Sequence, residues 1–129
     1  MSVAILLVTH ENIANDLLKI SQSILNQTID NIAFLEAPMS LPLESVMNDA
    51  TQKLSSIKTE EGLLILTDLV GSTPFNVATK LKSQQTKAIV VSGLNLPMLL
   101  KIANYRNLNI KELADKAVIG GQSAISTHE

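Results

Sequence analysis

The chain has 129 residues, a length that suits one compact domain over residues 1–129. Hydrophobic residues make up 46% and charged residues 17%, with a formal charge of −2, which excludes a disordered chain. The aromatic residues are Phe34, Phe75 and Tyr105 and there is no basic excess, so the stacking platform of a nucleic-acid binder is excluded. Cysteine is absent, and histidine occurs at His10 and His128, which removes disulfides, thiol nucleophiles and a zinc site of the usual His/Cys type. The apolar run at residues 3–8 is far too short to span a membrane, and it carries neither a basic leader nor a small-residue cleavage site. The expectation is a cytoplasmic protein with no direct membrane insertion. Asn26-Gln27-Thr28 fits a glycosylation sequon, which without a secretory route reads as a chance match.

Residues 3–8 are aliphatic without polar alternation, the pattern of a strand buried on both faces. From 12 to 26, Ile13, Leu17, Leu18, Ile24 and Leu25 keep helical spacing, with Ser21 as a small gap-filler. Residues 32–35 read as a second strand, and Pro38 and Pro42 bracket a loop over 37–41. A second helix over 43–56 is expected to bury Val46, Met47, Ala50 and Leu54. Gly62 opens a third strand over 63–66, followed by Thr67-Asp68 and a loop over 69–73. Pro74 suits the first turn of a helix, where its missing N–H would lack a partner anyway, and Ser72 or Thr73 can cap it. A fourth strand covers residues 88–91. Asn95 is the expected cap of a helix beginning at Leu96-Pro97. A last helix over 110–120 is expected to bury Ile110, Leu113, Ala114, Ala117 and Val118. Gly120-Gly121 should end it, leaving residues 122–129 as a tail that includes a frayed His128. Lys80, Lys82 and Lys87 read as a solvated face.

Buried strands alternating with helices imply an α/β fold whose parallel sheet is covered on both faces. The first strand ends Val8-Thr9-His10-Glu11, without the glycine-rich loop of a dinucleotide fold. A flavodoxin-like doubly wound order, 2-1-3-4, is therefore expected. In that order strands one and three are neighbours, and the crevice beyond their carboxyl ends receives ligands. His10 follows strand one and Asp68 follows strand three, and adjacent strands lie roughly 4.8 Å apart. Asp68 can then accept a proton from one ring nitrogen of His10, leaving the lone pair of the other facing outward. Taken singly, His10 has the ordinary pattern of a satisfied loop residue and Asp68 that of a helix cap. Together with the helix start at Gly71-Ser72-Thr73-Pro74, where backbone N–H groups and the helix dipole favour an anion, they point to phosphoryl transfer onto His10.

Other chemistries lack their parts. No G-x-x-x-x-G-K-[ST] loop or G-x-S-x-G elbow is present. A receiver domain shares the expected fold and an aspartate after strand three, but Thr9-His10-Glu11 offers one carboxylate where it needs an acidic pair for magnesium. Two apolar segments read either as docking rims for a partner or as packing: Pro97-Met98-Leu99, and Met39 with Leu41.

Four segments carry a family resemblance: Val8-Thr9-His10; Leu66-Thr67-Asp68; Gly71-Ser72-Thr73-Pro74-Phe75-Asn76; and Gly93-Leu94-Asn95-Leu96-Pro97-Met98-Leu99. In order and spacing they cover essentially the whole chain. It resembles the enzyme IIA domain of the mannose/fructose class of the bacterial sugar phosphotransferase system. The resemblance implies a phosphotransferase that needs no cofactor or metal. His10 would accept a phosphoryl group from the histidine-containing phosphocarrier protein and pass it to a histidine of a IIB domain, feeding a sugar permease. It further implies that Asp68 orients His10, that Ser72 and Thr73 contact the phosphate, and that the chain forms a homodimer. In that dimer a short C-terminal strand within residues 122–127 would cross to the partner's sheet. Glu11 stands where the family often has glycine; a carboxylate there would repel a phosphoryl group, so it is expected to face solvent. Leu69-Val70 lacks a tryptophan found in some mannose-specific members. The same site would serve a regulatory phosphoprotein without transport. The related phosphocarrier subunit of dihydroxyacetone kinase shares the fold and the histidine, but Gly-Ser-x-Pro-Phe-Asn favours the mannose class.

Overall fold

The computed structural model describes residues 2–129. Its elements run β1 (Ala4–His10), α1 (Ile13–Leu25), β2 (Ile32–Ala37), α2 (Leu43–Leu54), β3 (Leu63–Thr67), α3 (Thr73–Ser83), β4 (Ala88–Val91), α4 (Leu96–Ala103) and α5 (Ile110–Ser123). The four strands form one parallel sheet in the expected order, β2-β1-β3-β4. Alternation along β1 splits its side chains between two cores. Val3, Ile5 and Leu7 pack with α1, α4 and α5, while Ala4, Leu6 and Val8 pack with α2 and α3. Each fully buried leucine or isoleucine there contributes roughly 1.5–3 kcal/mol by leaving water, which is why the run carries no polar alternation.

Strand lengths differ from the sequence expectation where the site is built. β1 continues to His10 because β2 accompanies it, with Thr9 opposite Glu36 and His10 opposite Ala37. On its other side the pairing with β3 stops at Val8 opposite Thr67. His10 therefore lies within the sheet on one flank and beyond it on the other.

The last helix also differs. It runs through Gly120-Gly121 to Ser123 instead of stopping. A Cβ on Gly120 would lie 2.6 Å from Lys101 Cβ, and one on Gly121 would lie 3.0 Å from Met98 Cε. The two glycines are there so that α5 can approach α4, and α5 is held at its start by a reciprocal capping box between Asn109 and Glu112. Val118 on this helix is partly exposed, not buried. On α1, Ala14 and Ser21 are buried and Leu17 and Leu18 pack against the core, but Ile13, Ile20 and Ile24 face solvent. Met98 and Leu99 belong to the core, so Pro97-Met98-Leu99 is packing and not a docking rim.

At the amino-terminal edge of the sheet, polar side chains tie the connections together. Arg106 donates to the carbonyls of Asp30 at 2.6 Å and Val3 at 2.7 Å. Burial pulls its ionisation below the ordinary arginine range, and the charge of Asp30 opposes that pull. Asn31, at a left-handed φ of 54°, donates to the Ser2 and Lys58 carbonyls and accepts from the Lys58 N–H.

Candidate functional site

His10 closes β1 and Asp68 follows β3 directly, so both reach the carboxyl-terminal edge on neighbouring strands. Because β3 has already left the ladder at Thr67, the His10 backbone N–H has no strand carbonyl opposite it. The Asp68 carboxylate takes that place: its Oδ2 accepts the His10 N–H at 3.1 Å and the ring Nδ1 at 2.7 Å. Its Oδ1 accepts the Leu69 N–H at 3.1 Å, which locks the carboxylate orientation. A carboxylate oxygen accepts, so Nδ1 carries the hydrogen and Nε2 keeps its lone pair. The His10 side chain is 28% exposed and that of Asp68 10%, so the ring is reachable from solvent and the carboxylate beneath it is sheltered.

Thr9, fully buried, is the residue that sequence reasoning passed over. Its hydroxyl donates to the His10 carbonyl at 2.8 Å and accepts the Ala14 N–H at 3.0 Å. Asn12 stands at the cap of α1 but makes no side-chain cap bond; Thr9 and Glu36, whose Oε2 accepts the Asn15 N–H at 3.0 Å, do that work from the strands. His10 is thus fixed from both sides, its N–H by Asp68 and its carbonyl by Thr9. A hydroxyl residue ending an otherwise apolar strand was the available signal.

Ser72 and Thr73 begin α3, and among the described residues neither makes a hydrogen bond to the His10–Asp68 pair. Ser72 occupies the cap position, yet its hydroxyl donates to the Leu69 carbonyl at 2.6 Å instead of accepting from the helix. Gly71 supplies the φ of 82° that turns the chain into this start, with open space where a Cβ would sit. The first helical bond runs from Asn76 N–H to the Ser72 carbonyl, which leaves the Thr73 and Phe75 N–H groups ahead of it, with Pro74 contributing none. Such a start favours an anion. Glu11 is exposed, as expected. Among the described residues no group of three or more His, Cys, Asp or Glu side chains is placed to hold a metal ion.

Comparisons with known proteins bear on the family to which the chain belongs. The family profile described as "PTS system fructose IIA component" (EIIA-man) matches residues 4–118. The mannose-specific EIIAB component of the phosphotransferase system of Escherichia coli K12 is 28% identical over 127 residues, covering 97% of this chain and 39% of that protein. The chain thus spans about two fifths of that relative's length. The mannose/sorbose-specific IIA subunit from Enterococcus faecalis superposes with a TM-score of 0.87 at 29% identity, covering 100% of this chain and 96% of that one. The EIIA component from Streptococcus agalactiae gives 0.85 at 26% identity, covering 97% and 96%. With fold, sequence profile and relatives in agreement, the chain belongs to the mannose-class EIIA family of the phosphotransferase system.

Proposed function

We propose that this chain is a phosphocarrier whose His10 Nε2 takes a phosphoryl group from the phosphohistidine of the histidine-containing phosphocarrier protein. It then gives the group to a histidine of a IIB domain for sugar uptake and phosphorylation. The single observation that supports this reading best is the 2.7 Å contact between His10 Nδ1 and Asp68 Oδ2. As Nε2 forms its bond to phosphorus, the bond to the donor nitrogen breaks and its electron pair returns to the donor ring. The His10 ring becomes cationic, keeps its Nδ1 hydrogen, and is stabilised by Asp68. Transfer onward reverses these roles. The barrier is lowered by in-line positioning and by charge neutralisation, for which the unpaired N–H groups of Thr73 and Phe75 and the Thr73 hydroxyl stand at the α3 start.

The proposal includes a cytoplasmic homodimer. No helix among the described residues is long and apolar enough to cross a membrane. Gln122 and Ser123 are helical and residues 124–127 are exposed in the single chain, so in this proposal the crossing segment lies within 124–127. β4 is an edge strand able to receive it.

The test is incubation with phosphoenolpyruvate and the general phosphotransferase proteins, followed by intact mass measurement. One added phosphoryl group is expected, labile in acid, stable in base and absent from His10→Ala. Undiminished labelling of His10→Ala, or a magnesium-dependent acyl phosphate on Asp68, would overturn the proposal.

A further inference from the structure

Thr67 carries a polar group that the His10–Asp68 contact does not use. It ends β3 immediately before Asp68 and is fully buried, and its hydroxyl has no hydrogen-bond partner among the described residues. A buried hydroxyl without a partner has lost its water and gained nothing, so valine, of nearly the same shape, would be the more stable choice there. The strands fix where this hydroxyl lies. Leu63 and Ile65 belong to the core under α2 and α3, and two-residue alternation puts Thr67 on the same face. Ala4, Leu6 and Val8 share that face, Val8 stands opposite Thr67, and His10 follows two residues later on the same alternation. The hydroxyl therefore lies one pleat below His10, in the layer that α3 covers with Pro74 and Val77.

Ser21, in α1, has the other buried hydroxyl without a partner. A helical serine can turn to the carbonyl four residues back, here that of Leu17, so one rotation satisfies it. Thr67 lies in a strand with no turn behind it, and its own carbonyl already accepts the Leu94 N–H at 3.0 Å. The groups left over on its face are at the turn into α3. There the Ser72 hydroxyl is bent back to the Leu69 carbonyl, and the Thr73 N–H precedes the first helical bond.

Resting on the phosphocarrier reading, we propose that Thr67 is a positioning residue for the phosphorylated state. Its hydroxyl is unpartnered while His10 is free and gains a main-chain partner in residues 71–73 when the turn into α3 closes on the phosphoryl group. The unpaired hydroxyl raises the free energy of the resting chain relative to the phosphorylated one, which draws the α3 start into place as transfer proceeds. Thr67 itself, sealed beneath the surface, touches neither the phosphoryl group nor the donor protein.

The experiment separates stability from transfer. Thr67→Val removes the hydroxyl and keeps the shape, so the thermal midpoint of the unphosphorylated chain should equal or exceed that of the unsubstituted protein. At saturating donor protein the rate of His10 labelling should fall about tenfold, with the half-saturating donor concentration unchanged within about twofold. Phosphorylation should raise the midpoint less in this variant than in the unsubstituted protein. Thr67→Ser keeps the hydroxyl and loses a methyl group, so it should lower the midpoint yet restore most of the rate. Ser21→Ala should leave the rate unchanged. A merely structural residue would move stability and rate together. A lower midpoint for Thr67→Val would mean that the hydroxyl is already bonded in the resting chain, and would overturn the proposal. An unchanged labelling rate in that variant, or an equal loss in Ser21→Ala, would overturn it as well. If the unsubstituted protein takes no phosphoryl group onto His10, the phosphocarrier reading itself falls, and this inference with it.

Discussion

The two edges of the sheet are built from the same kinds of residue and used in opposite ways. At the amino-terminal edge, Arg106 and Asn31 spend their donors on main-chain carbonyls, and the apolar residues of the connections are packed away. At the carboxyl-terminal edge, polar groups hold one ring, apolar side chains stay in water, and N–H groups at the α3 start lie ahead of the first helical bond. One edge closes the fold; the other leaves polar and apolar groups facing water, as the proposed phosphocarrier role requires. Changes at the first should therefore cost stability, and changes at the second should cost chemistry.

The sharpest break in that contrast is Asp68→Asn. It should slow phosphorylation of His10 by about 10²-fold or more, because the amide no longer holds the ring in one tautomer. The thermal unfolding profile should hardly move. Arg106→Ala is its counterpart. Removing two charge-assisted bonds to carbonyls should lower the unfolding free energy by about 2–3 kcal/mol in urea titration. Labelling per folded molecule should be unchanged. Thr9→Val sits between the two, since its hydroxyl supports both the α1 start and the His10 carbonyl. A stability loss of about 1–2 kcal/mol should accompany a severalfold slower transfer, with Thr9→Ser restoring most of both.

How much of this was legible in the sequence depends on how local each feature is. The buried run of β1 announces itself because every residue from Ala4 to Val8 faces one core or the other. The Asn95 cap is equally local: its side chain accepts the Met98 N–H at 2.9 Å, three residues on. The pairing of His10 with Asp68 was readable because strand order follows from the alternation of elements, and strand order places the two chain ends together. Features that depend on how one helix meets another were not readable. Gly120-Gly121 looks like a stop signal until α4 is seen lying against it. The apolar positions read for α1 look like a core face, but the sheet and α4 cover only part of that helix, which leaves Ile13 and Ile24 outside. Ser72 has the composition of a cap, and the tight turn back to Leu69 captures its hydroxyl first. Thr9 shows the same limit: its partner Ala14 is five residues away, yet its role appears only once β1 is known to end at His10.

The central claim is that Asp68 holds His10 so that Nε2 is the attacking atom. Heteronuclear NMR of the ring nitrogens in the phosphorylated protein tests it directly. Phosphorus bonded to Nε2, with the Nδ1 hydrogen retained and protected from exchange, is the predicted result. Phosphorus on Nδ1 would require the contact with Asp68 to break and would contradict the account.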